Sequence, residues 1–402
     1  MLEPFRHAIR ALRHDWRTTL LATGLLAVTI GAVVAIFAIV EAVLLRPLPF
    51  TDQDRVAVIW QRDDRRALPI IEVAHGEMED WRRRSRSFDH LAVVGSVNWD
   101  LVLVDKAEPA QADLAAVSSS FFPTVGTPAA RGRWLVASDD VPSRPATMVI
   151  SHGFWQRHFG GDPTVVGRGV PVKLHAESPP VALTVVGIMP AGFDYPRGAE
   201  VFLPAAPLLR TFAGVDPHQP EQTLKWLRVF YAVGRLKAGV DVPRAAQELT
   251  QVSRSRDREG GPEPPLQIVL QPIREYLLGP AAPALWTLLG GALLMLLIAA
   301  ANVAGLQVSR ASRHQRGLAI RSALGASPRR LTAHVLAESV VLTAMSLAAA
   351  LAVAWTLLRL LLWLAPGDVP RLDEVALLDW RVVAFGAAAT FATATICAWW
   401  PV

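Results

Sequence analysis

Six arginines and no carboxylate lie between residues 310 and 331, in the stretch RASRHQRGLAIRSALGASPRRL. Guanidinium groups stay charged at physiological pH and pair with phosphates or carboxylates through a fixed fork of donors. The chemistry available there is anion pairing, with lipid headgroups or an acidic protein surface, and not proton transfer. Other reactive side chains are scattered. His152 and His158 are six apart, on poorly matched sides of a helix, and the ten histidines form no cluster. Arg82, Arg83 and Arg84 close the helical stretch EVAHGEMEDWRRRS, where they complement the helix dipole or offer a patch to an anionic partner. The chain contains no G-x-x-x-x-G-K-[ST], so it lacks the phosphate cradle of a P-loop ATPase. It also lacks G-x-S-x-G, H-E-x-x-H, C-x-x-C and G-x-G-x-x-G. No catalytic residue, metal site or cofactor is expected.

The elements that must position the basic stretch are apolar. Hydrophobic residues make up 52% of the 402 and charged residues 19%, with a mean hydropathy of +0.31, which argues against an ordinary soluble enzyme. The excess is concentrated in runs. Thr18 to Val40 carries no charge over 23 residues, long enough at about 1.5 Å per residue to cross a hydrocarbon core of about 30 Å. Uncharged runs follow at Leu277 to Ser309, Ser339 to Leu358 and Val382 to Val402. A buried helix of a soluble protein is the alternative for any one run; four together predict four transmembrane helices. The first run exceeds the roughly 7 to 15 residues of a signal-peptide core and is expected to stay as an anchor.

Charge placement sets the expected orientation. Arg6, Arg10, Arg13 and Arg17 precede the first run, and the six arginines fill the connection between the second and third. The connection between the third and fourth holds Asp368, Asp373, Glu374 and Asp379 against Arg371 and Arg381. The positive-inside rule then puts the N-terminus and residues 310–330 in the cytoplasm and the segment from about Arg46 to Tyr276 outside. This accounts for the net charge of +5 without a nucleic-acid partner. Glu41, Arg359 and Glu338 are read as reaching an interface, which leaves no midplane charge for an ion or proton relay. The single cysteine, Cys397, falls in the fourth run, so no intramolecular disulfide forms.

The expected order is a cytoplasmic amphipathic helix at 1–17, a first span at 18–45 and an outer domain at 46–276. A second span at 281–309, a cytoplasmic coupling loop at 310–330, a third span at 331–364, an outer loop at 365–380 and a fourth span at 381–402 follow. The outer segment alternates strand-like stretches such as RVAVIWQR, HLAVVGSV, ATMVIS, VALTVVGIM and AEVFLP with Gly and Pro turns. It predicts an α+β or mixed α/β domain. Near its end LRVFYAVGRLK, a helix opened by Asp241 and Pro243, and PLQIVLQPI predict a β-α-β unit. Gly31 with Ala35, and Ala301 with Gly305, are small-residue pairs that permit close helix approach.

Within residues 310–331, Gly317, Ile320 and Leu324 share one face of a short helix that Gly325 ends in a left-handed conformation. Ser327 is suited to cap the next helix, with Pro328 at its first position. An ordered element tied to two spans can transmit force. A loop that only sets topology needs the arginines but not the caps; as the alternative, lipid headgroups alone would tolerate all six arginines.

RGLAIRSALGASPRRL, followed by LAESVVL, resembles the permease motif of the FtsX/MacB-like ABC transporter superfamily, which joins the second and third helices and faces the ATPase. LLRPLPF, VSSSFFPTVGTPAARGRWL, ISHGFWQRHFGGDPTVVGR and VVGIMPAGFDYP are similar to the MacB-like periplasmic core domain, especially in the duplicated permeases of acidobacterial type. The resemblance implies four membrane helices with an α+β extracytoplasmic domain inserted between the first and second, in a bacterial inner membrane. It implies a separate ABC ATPase subunit, a second permease half or an identical chain, surrounding membrane lipid, and relay of ATPase movement to the outer domain for export. Ile320, Arg321, Leu324, Gly325 and Ala326 match the ATPase-facing motif, with Arg313 and Arg316 leading into it and Glu338 as its trailing acid. Gly317 stands where relatives usually carry an acid, weakening the helix by about 1 kcal/mol relative to Ala. The ending WWPV, where relatives continue, implies a truncated or split product. The alternative expectation is a non-transporting membrane-anchored interaction or sensor module, or a decayed half-permease.

Overall fold

A computed structural model describes residues 16–63, 66–95, 99–104, 109–141, 146–174, 179–212, 228–258, 266–323, 328–364, 375–377 and 379–399. The chain forms two units, Met1–Arg46 with Leu278–Val402, and Pro47–Leu277. The amphipathic helix expected at 1–17, apart from its last two positions, and Asp368, Arg371, Asp373 and Glu374 lie outside the described residues.

The first unit is helical, because a run without charge can satisfy its backbone in lipid only through internal hydrogen bonds. Its helices are Trp16–Val40, Ala282–Ala323, Pro328–Leu364 and Trp380–Trp399. Three stretches, Leu20–Leu45, Ala282–Leu306 and Met345–Leu364, are long and apolar enough to cross a bilayer by length and composition. The apolar part of the last helix, Trp380–Ile396, is shorter. The first helix is the hub: 72% of its apolar window is buried, against 33% and 17% in the second and third. Of the two small-residue pairs, only the first makes a close approach. A Cβ on Gly31 would sit 2.8 Å from the Ala350 carbonyl oxygen and 2.9 Å from the Val353 Cβ, whereas one on Gly305 would meet nothing within 4 Å. Phe37 stacks on Phe385 with ring centroids 3.8 Å apart, fastening the last helix to the first.

The second unit is built on one sheet. Its strands are β1 (Val56–Asp63), β2 (Leu68–Ile71), β3 (Val73–Ala74), β4 (Phe88–Gly95), β5 (Trp99–Leu103) and β6 (Ala110–Val117). Then come β7 (Arg131–Gly132), β8 (Thr147–Ile150), β9 (Gly169–Lys173), β10 (Val181–Ile188), β11 (Val201–Pro204), β12 (Arg228–Leu236) and β13 (Gln267–Pro272). The order is β11-β8-β10-β9-β5-β6-β4-β12-β1-β13. Because β11 also pairs with β6 in parallel, the strands from β11 to β6 close into a ring. Each strand-like stretch read from the sequence contains one of these strands.

The β-α-β unit is present with an insertion. β12, the helix Val242–Arg258 and β13 follow one another, but β1 lies between the two strands and runs antiparallel to both. β1 can take that central place because Val56, Ala57, Val58 and Ile59 are all fully buried. The helix His75–Arg84 packs beside Val242–Arg258, and buried Trp81 donates its Nε1 proton to Ser253 Oγ across 3.0 Å.

Glu248 closes the end of that short helix. Its carboxylate accepts from the Arg86 N–H (2.6 Å), the Ser87 N–H (3.0 Å) and the Ser85 hydroxyl (3.2 Å). Burial pushes the Glu248 carboxyl up, but these donors outweigh it and hold it below its ordinary value. A lowered folded pKa stabilises above the unfolded carboxyl value of about 4.3, and the contribution is lost as pH falls through the folded value. Glu248→Gln is expected to cost about 1–2 kcal/mol at neutral pH. Its deficit against wild type should shrink below about pH 4.3 in paired denaturant titrations, and a pH-independent deficit would mean that the charge has no part in it.

Candidate functional site

The basic stretch does not form a separate short helix. Helix Ala282–Ala323 runs for 42 residues and carries Arg313, Arg316, Ile320 and Arg321 on the same continuous rod as the apolar window Ala282–Leu306. Hydropathy changes at Ser309, but helix propensity does not. Arg, Ala, Gln and Leu all favour helix, no proline intervenes, and one glycine, Gly317, is tolerated. The next helix begins at Pro328 and contains Glu338. Leu324, Gly325, Ala326 and Ser327, the expected cap-to-cap turn, lie outside the described residues.

The motif residues of the domain converge on one aromatic core. Phe121 and Phe122 from VSSSFFPTVG and Phe193 from VVGIMPAGFDYP meet Phe202 of β11, and Phe50 from LLRPLPF joins them through Phe193 and Tyr195. Phe121 alone has four ring neighbours, with centroids between 5.1 and 6.5 Å away. Their placement makes these motifs a scaffold that fixes the segment leading into the domain.

That leading segment is bonded at every step. The Leu48 N–H donates to Gln53 Oε1 (3.0 Å), and the Pro49 carbonyl accepts from the Thr127 hydroxyl. The Thr51 hydroxyl donates to the Gly126 carbonyl (2.6 Å), and the Thr51 carbonyl accepts from Arg235 Nη2 (2.8 Å). Arg235 is buried and also donates to the Thr124 carbonyl (2.8 Å); burial lowers its pKa from the ordinary guanidinium value. Gly126 is required here. Its φ is +74°, and a Cβ would come within 2.5 Å of Arg235 Nη2.

Glu41 is buried and paired: its side chain is 2% exposed, and it accepts from Arg381 Nη1 (3.0 Å) and Arg46 Nη2 (3.3 Å). An isolated acid closing a 23-residue apolar run was the sequence signal, and its partner Arg381 was invisible from it. Arg359 lies over the Trp355 ring at 5.2 Å.

The arginines closing helix His75–Arg84 serve the domain itself. Arg82 donates to the Leu91 carbonyl, Glu79 and Ser120, Arg83 to Asp80 and Arg84 to Ser255. A cleft of about 270 Å³ beside them is lined by Arg82, Asp89, His90 and Ser119, and each of the three guanidinium nitrogens of Arg82 donates to a protein acceptor. His158 is buried and stacks on Phe154, while His152 meets Trp155 edge-on, so the two serve separate contacts. Among the described residues, no group of three or more His, Cys, Asp or Glu could hold a metal.

These features define a membrane-anchored helical protein whose sequence carries a large α+β domain between its first two apolar helices. The family model for the MacB-like periplasmic core domain matches residues 19–252, and that for the FtsX-like permease C-terminal region matches 289–402. The chain belongs to the MacB-like periplasmic core domain family and is an FtsX/MacB-like ABC transporter permease.

Among solved structures it is similar to the periplasmic region of MacB from Actinobacillus actinomycetemcomitans, at 14% identity over 56% of this chain and 90% of that one, with a TM-score of 0.41. A permease-protein domain from Porphyromonas gingivalis matches at 18% identity over 56% and 92%, TM-score 0.41. The extracellular domain of the ABC-type transporter YknZ from Gram-positive bacteria matches at 14% identity over 54% and 99%, TM-score 0.37. No curated protein matches the chain.

Proposed function

We propose that this chain is the permease subunit of an ABC export system, which converts nucleotide-driven movement on the cytoplasmic side into rearrangement of a periplasmic domain. The observation that carries this reading is the unbroken helix Ala282–Ala323. Its apolar window ends at Leu306, yet the helix continues for residues 307–323, about 25 Å further. A continuous helix delivers displacement along its length, which a flexible basic loop does not.

In this reading four helices cross the membrane, the N-terminus and residues 310–330 are cytoplasmic, and residues 46–276 are periplasmic. Arg313, Arg316, Ile320 and Arg321, with Leu324, Gly325, Ala326 and Glu338, engage a separate ATPase subunit. A second permease half or an identical chain completes the assembly, and lipid surrounds it. No cofactor is needed by this chain, because its part is mechanical. The cargo is exported or released at the domain.

The full-length chain is expected to co-purify with an ATPase subunit from native membranes. The double variant Arg321→Asp, Leu324→Asp should recover at least about tenfold less of it, since burying unpaired carboxylates in an interface costs several kcal/mol. Crosslinking in native membranes that captures no ATPase with the wild-type chain would overturn the proposal in favour of a non-transporting anchored module.

A further inference from the structure

An acid in the last turn of an apolar helix persists only when its charge is compensated. Glu41 is compensated by a chain of partners drawn from two places in the sequence. Its Oε1 accepts from Arg381 and its Oε2 from Arg46; Arg46 Nη2 continues to Asp379 Oδ2 across 2.9 Å. Asp379 Oδ1 accepts from the Arg381 backbone N–H (2.9 Å), and its carbonyl accepts from the Val383 N–H (3.0 Å), so this residue also caps the helix Trp380–Trp399. Two acids and two bases thus bind the end of the first helix to the start of the last.

The backbone is adapted to the same purpose. Residues Glu41–Leu45 form a π-turn, with the Arg46 N–H donating to the Glu41 carbonyl at 2.8 Å. Such turns are rare and gather at functional places. The wider turn carries residue 46 round to 41, and Arg46 then leaves in an extended conformation, φ −67° and ψ 130°.

Pro47 is the next residue and the first of the domain unit. From Leu48 to Thr51 the chain is held by Gln53, Thr127, Gly126, Arg235 and the rings of Phe193 and Tyr195. A segment clamped at Arg46 is therefore followed almost at once by one embedded in the domain core, with prolines at 47 and 49 restricting the backbone between them. The return connection differs, because a turn at 279–281 separates the helices Ile273–Leu278 and Ala282–Ala323.

We propose that Glu41, Arg46, Asp379 and Arg381 form the joint through which displacement of the last helix is delivered to the domain along residues 46–51. The inference rests on the force-relay reading above and names the positioning residues for it. None of them touches cargo; they act through the chain at Pro47.

The test uses the full-length chain with its co-purified ATPase subunit in lipid nanodiscs. Amide hydrogen exchange over residues 46–62 is compared with and without non-hydrolysable nucleotide. Wild type is expected to show a nucleotide-dependent change there. Glu41→Gln and Arg381→Gln should reduce it at least about fivefold, with ATP hydrolysis and subunit association retained. Since Glu41→Gln leaves two guanidinium groups facing a neutral amide, the double variant Glu41→Gln, Arg381→Gln removes one charge of each sign and guards against simple misfolding. Arg46→Lys, which keeps the charge and loses the fork, should fall between. A nucleotide response in the variants equal to wild type overturns the joint while leaving the relay reading intact. A wild-type chain that binds its ATPase but shows no nucleotide response overturns both.

Discussion

Replacing Phe121 by alanine is expected to lower the unfolding free energy of the domain by about 3–5 kcal/mol. Phe121 is fully buried on the five-residue helix Phe121–Val125, and its ring touches Phe122, Phe193, Tyr195 and Phe202. These neighbours come from the helix itself, the turn after β10 and β11. β10 and β11 are tied into the sheet ring, so the neighbours cannot slide in to refill the space. Most of the lost volume should remain as cavity, which places the cost toward the upper end for a large-to-small change. Truncating Val136, which is 43% exposed, should shift stability by less than about 0.5 kcal/mol. Denaturant midpoints for proteolytic cleavage within residues 47–277 of the full-length chain measure both. A Phe121→Ala cost below about 1 kcal/mol would mean that the motif rings are not closely packed.

Gly31→Val is expected to have the second large effect, in the helical unit. The first and third helices approach so closely that even a Cβ at residue 31 would overlap the Ala350 carbonyl and Val353. Neither can yield cheaply, since one is backbone and the other is a β-branched side chain fixed in its helix. Helix association in lipid depends on such packing, because water drives no apolar burial there. Overpacking of this kind costs about 1–3 kcal/mol, and the expected result is a lower thermal midpoint in detergent with loosened first and third helices. Gly24→Val is the control. It lies on the same helix with nothing within 4 Å of a Cβ, and its midpoint should match wild type. Equal effects at the two glycines would show that valine acts through the helix backbone and not through the contact.

Much of this architecture was legible from local pattern. Alternation and β-branched runs identified β1, β4, β8, β10 and β11, and the dipole-complementing arginines 82–84 marked the end of a helix that does end at Arg84. The β-α-β at 228–272 was equally readable, since its period changes from 2 to 3.6 and back. Three features were not. The separate short helix expected within residues 310–330 followed the hydropathy change, but a helix ends where its backbone bonding ends, and arginine sustains that bonding as well as leucine does. The membership of the aromatic core was hidden because Phe50, Phe121 and Tyr195 are far apart in sequence, and a pattern within one segment says nothing about which other segment covers it. The pairing of Glu41 was hidden for the same reason, because Arg381 opposite it lies 340 positions away.

By itself, the sequence determined what each segment must hide or pair: uncharged runs that suit lipid, alternating strands with one face for a core, and a basic stretch whose arginines need anions. Those are single-segment properties, set by side-chain transfer energies and backbone geometry. Only the tertiary structure decided the pairings: β1 between β12 and β13, β11 closing onto β6, Gly31 against Ala350, and Glu41 against Arg46 and Arg381. Such contacts are chosen by shape and charge complementarity between surfaces far apart along the chain, and that complementarity exists only once both surfaces are folded.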